Sequence, residues 1–476
     1  MSRDDRARHA PAALAGIDTS TPAVVLKLDP NVLHHGGLGV IRSLGRLGVP
    51  VYGVHESPLA PAAGSRYLHG RYFWQPGAGD HERIRDGLIT LADRIGQPAV
   101  LLPTDDAGAI FLAEHGADLR SRFLFPAPPP TLPRRVAGKF SLAQLCAVLG
   151  VPAPSATIPQ TPAAAHEFAA RAGYPLIGKL ATPWEGGTQA DARQHGSLRS
   201  TSILTTAAQL DETLAACASA GAGLMLQEFI PGGRDTDWFF HGYCNAGSVC
   251  RPAFTGVKER SYPAYAGLTS LGRAQDNPVL RDQITDMLAR IDYRGILDLD
   301  LRLDQRTGQY KLLDFNPRLG AQFRLFQTTA GLDVATAAYL DLTGQDAPGQ
   351  VGVPGQAAPE QAPRRFVVEN YDPIGALGYW RSGDLSIASW LRSLRGIDEA
   401  AWFARDDLRP FGLMCLRMGW RLVSRPAGRL GARRQARRRD DHRPPGAENP
   451  TLSTDSVSAT SARLPTPRAA KEEARA

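Results

Sequence analysis

The sequence predicts an α/β domain followed by a two-part α+β unit and a disordered basic tail. Three observations carry that reading. The chain opens on a strand–turn–helix–strand pattern. Its middle holds a strictly alternating β-hairpin, and its surplus of positive charge sits at the C-terminus.

The first domain is expected over residues 21–133, after a loose arm over 1–20. "AVVLKL" (23–28) is an apolar run of buried-strand length. "HHGGLGVIRSLGRLG" supplies a Gly-rich turn and a helix, and "VPVYGV" a second strand. "AVLLPTDD" (99–106) is a further strand that ends in acids, and "PAPPPTLP" (126–133) closes the domain. Gly37 and Gly39 match the opening of a GxGxxG loop, but Arg42 takes the third position, which disfavours a dinucleotide site.

The second unit is expected over 134–343, with a small part at about 150–225 and a large part at about 226–343. A helix over Arg134–Leu149 leads into a Pro-rich connector. Helix Ala163–Ala172, strand "PLIGKL" (175–180) and helix Ala207–Ser219 follow. "GLMLQEFIPGG" (223–233) reads as a strand stopped by Pro-Gly-Gly, and strands near 238–257 turn at Asn245–Gly247. A further helix covers about 279–291. Residues 344–363 have linker composition, 364–426 read as a helical segment rich in Trp and Arg, and 427–476 as disordered.

Composition sets outer limits. At roughly 100–200 residues per domain, 476 residues hold two to four domains. No run of about 18 apolar residues suggests a membrane span. The five cysteines (146, 217, 244, 250, 415) form no CxxC pair, so a cytoplasmic location is expected. The net charge of +7 is uneven, because residues 427–476 alone carry +5. That tail can lie on an anionic membrane surface or meet an acidic partner. No nucleic-acid module is recognisable. Only six of the 54 basic residues are lysines, at 27, 139, 179, 258, 311 and 471, so each marks a place where a compact ammonium can matter.

The hairpin carries the chemistry. In "GILDLDLRLDQRTGQYKLLDFNPR", Leu297, Leu299, Leu301 and Leu303 alternate with Asp298, Asp300, Arg302 and Asp304. The return strand is expected to place Leu313 and Phe315 on the leucine face. Tyr310, Leu312, Asp314 and Asn316 then share the other face with Asp300. Asp300, Asp314 and Asn316 make an all-oxygen cluster that suits Mg²⁺, with Mn²⁺ fitting the same ligands. Arg318 follows at once, where a transferring phosphoryl group needs a cation. Upstream, Lys179 in a buried strand and Lys139 can meet phosphates, as can the loop holding Gly186 and Gly187. Glu228 can accept from an adenine amine, and Asp235 or Asp237 from a ribose hydroxyl. Arg260 and Arg324 can fork onto a substrate carboxylate, and His34 or His35 can touch substrate.

The order of these residues resembles the ATP-grasp superfamily, in particular its carboxylate–amine ligases of the D-aspartate ligase-like group. Lys139 in "AGKFSLAQL", Lys179 in "YPLIGKL", "LQEFIPGG" (226–233), Lys258 in "TGVKERSYPAYAG", "GILDLDLRL" (295–303) and "LLDFNPRLG" (312–320) carry the resemblance. It implies a Rossmann-like pre-ATP-grasp domain followed by a two-subdomain ATP-grasp fold that clasps ATP. It further implies that Lys139 and Lys179 hold phosphates, and that Gln227, Glu228, Phe229 and Ile230 hold adenine. Asp300, Asp314 and Asn316 would hold Mg²⁺, with Arg318, Lys258 and Arg260 catalytic. The implied reaction activates a carboxylate as an acyl phosphate and couples it to an amine, with small-molecule substrates and a homodimer allowed. Many relatives carry Glu where this chain has Asp300 and Asp314, and "TPWEGGT" departs from the usual Gly/Ser phosphate loop. The alternatives are a catalytically silent ATP-binding scaffold or regulator and a dinucleotide oxidoreductase built on residues 23–54.

Overall fold

A computed structural model describes residues 12–14, 16–75, 77, 79–180, 201–265, 267–347 and 360–420. Most of the expected arm, the Gly186–Gly187 loop, most of the linker and the basic tail lie outside the described residues.

The first domain is a parallel sheet of β1 (Ala23–Leu26), β2 (Val51–His55), β3 (Leu68–Phe73), β4 (Ala99–Pro103) and β5 (Phe123–Leu124), in the order β3-β2-β1-β4-β5. Helix α1 (Gly36–Arg46) links β1 to β2, α2 (His81–Ile95) links β3 to β4, and α3 (Asp106–His115) follows β4. The strand order reverses between β1 and β4. Open sheets of this kind receive ligands beyond the carboxyl ends of the two strands at such a point.

The expected single helix over 134–149 is two, α4 (Leu132–Ala137) and α5 (Lys139–Leu149). Gly138 between them is extended, with φ −73° and ψ 126°, so the helix is interrupted and Lys139 opens α5. A small antiparallel sheet follows, built of β6 (Ala156–Thr157), β7 (Leu176–Leu180), β8 (Thr201–Leu204) and β9 (Leu224–Glu228), in the order β6-β9-β7-β8. Helices α6 (Pro162–Ala172) and α7 (Ala207–Ser219) share a separate core with it, centred on Phe168, Leu176, Leu204, Leu210 and Leu226.

The large sheet contains β10 (Asp237–Cys244), β11 (Cys250–Tyr262), β12 (Leu268–Ala274), β13 (Gly295–Asp304), β14 (Gln309–Asn316), β15 (Arg365–Val367) and β16 (Glu399–Ala400). Its order is β14-β13-β10-β11-β12-β15-β16. The last two strands come from the segment expected to be helical. That segment does supply α10 (Asp372–Arg381) and α11 (Ile387–Ser393), after α8 (Pro278–Arg290) and α9 (Val334–Leu342) earlier in the chain. One face of the sheet buries Leu297, Leu299 and Leu301 against Leu280, Ile284 and Met287 of α8. The opposite face carries the acids.

The hairpin register differs from the expectation by one residue. Asp300 pairs with Asp314, but Leu301 pairs with Leu312, so Leu313 is the extra residue of a β-bulge. The bulge returns Leu312 to the leucine face, where it is buried beside Phe315, and Tyr310 packs there too. Leu312 and Tyr310 therefore do not cover the acidic face. Asp314 and Asn316 still face Asp300 and Asp298.

The first domain and the large sheet share one core, running from Leu38 and Leu44 of α1 to Phe323, Phe326 and Trp402. The Gly-rich run serves this seam. A Cβ at Gly39 would lie 2.6 Å from the Phe323 ring, and one at Gly36 would lie 3.2 Å from the Ala321 backbone. Arg42, the residue that breaks the dinucleotide pattern, is buried in an ion pair with Asp407, Nε to Oδ2 3.0 Å, and donates to the Trp402 carbonyl at 2.7 Å. Ser65 and the Arg66 amide also donate to Asp407. Both charges are 1% exposed, so breaking the pair leaves an uncompensated buried cation. Asp407→Ala is expected to cost about 3–5 kcal/mol, read from the shift of the denaturant midpoint. A cost below about 1 kcal/mol would show that the C-terminal segment does not depend on this pair.

Candidate active site

Cross-strand pairing sets Asp300 against Asp314 and Asp298 against Asn316. Carboxylates so placed repel unless cations stand by them. Lys258, on β11, brings its Nζ to 3.2 Å from Asp300 Oδ1. Lys139, at the start of α5, contacts Asp314 Oδ1. Burial raises the pKa of Asp300, Lys258 opposes the rise, and the charges of Asp298 and Asp314 add to it. Burial works to lower the pKa of Lys258, but Asp300 and Asp237 outweigh it and raise the pKa.

Lys179 reaches the same cleft from the small sheet. Its Nζ donates to Gln227 Oε1 at 2.9 Å. Burial, and then the like charge of Lys139, pushes it down to about 8, with Asp314 opposing. Lys139, Lys179, Lys258, Asp300 and Asp314 thus meet between the two sheets.

Arg318 is held by residues that the sequence reading did not select. Its Nη1 lies 3.1 Å from Asp298 Oδ2, and its Nε 3.4 Å from Asp106 Oδ1 of the first domain. His241 on β10 places Nε2 3.0 Å from Asp298 Oδ1, close enough for a charge contact but off the hydrogen-bond direction. Burial would raise the Asp298 pKa, but His241 and Arg318 prevail and hold it at about 2. A Cβ at Gly320 would lie 2.3 Å from His241 and 2.6 Å from Asp298, so the residue after "RL" must be small. The signal for Asp298 was present, because the alternation that turns Asp300 toward the cleft turns Asp298 the same way.

Other expected residues stand apart from this cluster. Glu228 pairs with Lys311 at 3.0 Å and Arg306 at 2.9 Å. Burial would raise its pKa, yet these cations and the Ser155 amide lower it. Asp237 pairs with Arg302 at 2.6 Å, and Arg302 also donates to the Ile230 carbonyl at 3.0 Å. Asp235 is exposed and pairs with Arg273 at 3.0 Å. Phe229 is half-buried and Ile230 buried. Arg260 is forked onto Asp372 at 2.8 and 2.9 Å, and Arg324 lies 3.1 Å from both Asp333 and Glu399. These two guanidiniums fasten the C-terminal segment and α9, where a substrate carboxylate was expected on them. His34 and His35 lie in the loop beside Ala321, with His35 against Phe366 and Trp402.

Among the described residues, no three carboxylates, imidazoles or thiols converge as a metal site. The oxygen set is two carboxylates and the Asn316 amide, whose nitrogen donates to the Asp298 carbonyl at 3.2 Å and so leaves its oxygen to ligate. Mg²⁺ takes one or two carboxylates together with substrate phosphates, which this set fits. Each acid already pairs with an ammonium, so a metal ion would share these carboxylates with Lys139 and Lys258 or displace them.

No protein-family model matches the chain. D-aspartate ligase of Enterococcus faecium (strain Aus0004) is 24% identical over 240 residues, covering 50% of this chain and 56% of that protein. The chain thus spans about half the length of the curated relative it matches. The biotin carboxylase domain of Hydrogenobacter thermophilus 2-oxoglutarate carboxylase, solved with MgADP and bicarbonate, superposes with a TM-score of 0.50 at 15% identity, over 70% of this chain and 71% of that one. Carboxyaminoimidazole ribonucleotide synthase of Aspergillus clavatus, solved with ATP, gives 0.50 at 15% identity over 73% and 81%. N5-carboxyaminoimidazole synthetase of Staphylococcus aureus, solved with ADP, gives 0.50 at 10% over 70% and 79%. With its parallel first domain, small antiparallel sheet and acid-bearing large sheet, the chain has the ATP-grasp fold.

Proposed function

We propose that the chain is an ATP- and Mg²⁺-dependent ligase that couples a small-molecule carboxylate to an amine. The observation that carries this is the facing pair Asp300 and Asp314, ringed by Lys139, Lys179, Lys258 and Arg318 in a cleft between two sheets. The ATP and ADP bound by the structural neighbours, and the ligase activity named for the curated relative, support the same reading.

In this reading Lys139 and Lys179 take phosphate oxygens. With the Glu228 carboxylate engaged by Lys311 and Arg306, adenine is read by the backbone of 227–230. Asp300, Asp314 and Asn316 would hold Mg²⁺, which neutralises charge on the transferring phosphoryl group when bound. Arg318, fixed by Asp298, presents its guanidinium to that group. A carboxylate oxygen attacks the γ-phosphorus, and ADP leaves as the bridging P–O bond breaks. The amine nitrogen then attacks the acyl carbon, the C–O bond to phosphate breaks, and an amide remains. The chain contributes positioning and preorganised charge.

Phosphate release from ATP, assayed with Mg²⁺ and pooled amino acids and carboxylic acids, is expected to rise with at least one pool. ATP binding without stimulation by any pool would favour a silent scaffold. Asp314→Ala is expected to abolish turnover, and near-normal turnover would remove that residue from the metal set. Asp298→Asn keeps the size of the side chain but loosens Arg318. It is expected to lower kcat by about 10²-fold while the dissociation constant of ATP stays within about twofold, since misplacing a reacting group by 1 Å can cost that much. A change in ATP affinity with kcat intact would contradict a positioning role. Lys179 is charged below about pH 8 and neutral above it, so MgATP affinity should fall as pH rises from 7 to 9. Lys179→Arg should flatten that dependence, because a guanidinium stays protonated; an unchanged slope would assign the pH effect elsewhere.

A further inference from the structure

Several buried polar atoms without a hydrogen-bond partner belong to residues at or beyond the carboxyl ends of β1, β2 and β4. They are His34 Nδ1, His55 Nε2, Glu56 Oε1 and Asp106 Oδ1. Burying such atoms unpaired is costly, so a group of them at one edge points to a missing partner. The edge is also where the strand order reverses.

The neighbouring charges define what is missing. Lys27 is satisfied by Glu56 Oε2 at 2.7 Å, with side chains 9% and 5% exposed, which leaves Oε1 open. Asp105 caps α3 through the Gly108 amide and also accepts from the Leu28 and Asp29 amides. Asp106 is therefore not needed as the cap. Burial, first of all, lowers the pKa of His34 well below its usual value and that of His55 to about 3, so both rings are neutral. His55 is 4% exposed. Glu56 Oε1 is left without a donor, and Asp106 Oδ1 has no hydrogen bond and only a long ion contact with Arg318 Nε at 3.4 Å. Lys27 pairs with Glu56 Oε2, and Arg318 also pairs with Asp298. A ligand bearing N–H groups and positive charge fits this edge.

We propose that this edge is the amine site, resting on the ligase reading above: the Asp106 carboxylate receives the substrate ammonium and takes one of its protons. Asp106 stands 3.4 Å from Arg318 Nε, and its side chain is 18% exposed, so it borders the phosphoryl site and can be reached. An ammonium and a carboxylate become an amine and a carboxylic acid. The freed nitrogen lone pair forms the C–N bond as the C–O bond to phosphate breaks, and the amine's second proton leaves with the phosphate. Burial pushes the Asp106 carboxyl up to about 6, against Arg318 and with Asp314, which suits a base working near neutral pH.

The test uses the full chain with ATP, Mg²⁺ and pooled carboxylic acids. Hydroxylamine, uncharged near neutral pH, traps an acyl phosphate as a hydroxamate without needing an ammonium site. Amide formation with pooled primary amines is followed in parallel. Asp106→Asn is expected to lower the amide-to-hydroxamate ratio by about 10²-fold and to raise KM for the amine, and Asp106→Glu to restore part of the ratio. Equal loss of both products would put Asp106 on the phosphoryl step through Arg318, and an unchanged ratio would remove it from the amine site; either overturns the proposal. If the wild-type chain yields no hydroxamate, the ligase reading fails, and binding of methylamine followed by NMR decides the site by itself. Weaker binding to Asp106→Asn would support it, and equal binding to both chains would overturn it.

Discussion

Two carboxylates on facing strands repel, and much of this protein answers that repulsion. Asp300 and Asp314 sit opposite each other because the hairpin pairs them, and each draws an ammonium. Lys258 comes from the next strand but one. Lys139 comes from a helix that must restart after Gly138 to place it, and Lys179 from a separate sheet. Each cation is delivered by a different structural element, so the acid pair forces three parts of the chain to converge. That convergence sets fixed cations around an oxygen-only centre, the kind of preorganised charge that transfer of a highly charged phosphoryl group requires.

The acidic face of the hairpin was legible because period-two alternation has one geometric meaning. The scarcity of lysine was equally informative, since three of the six lie in the cleft. The bulge was not legible: "KLLDFN" offers two adjacent leucines, and only packing against α8 decides which joins the core. Arg260 and Arg324 were misleading for a different reason. Their partners Asp372 and Glu399 lie 112 and 75 residues further on, a distance no local pattern bridges. Two strands of the large sheet were missed because three and two residues are too short to show alternation. Asp298 was the avoidable omission, since it obeys the same alternation as Asp300.

The first domain shows how a near-match to a motif can have another cause. Gly36 and Gly39 are small because α1 lies against Ala321 and Phe323, and Arg42 stands where a third glycine would be because it reaches Asp407. The run that looks like a phosphate loop is a packing seam. The same seam brings Asp106 of the first domain to 3.4 Å from Arg318, so the first domain meets the acid-bearing hairpin by charge as well as by packing.

The joints made by Arg42, Arg260 and Arg324 have a mechanical consequence. All three fasten the C-terminal segment to the rest, and with the shared core they make the first domain and the large sheet a single body. The small sheet has its own core and is tied to the large sheet's hairpin through Glu228, which pairs with Lys311 and Arg306. The small sheet thus joins that body at one end of the hairpin, at Glu228, while Lys179 on its neighbouring strand reaches the cleft. Lys179 is the charge by which that sheet acts on the acid pair, held by Gln227 of its own sheet and feeling Asp314 across the cleft.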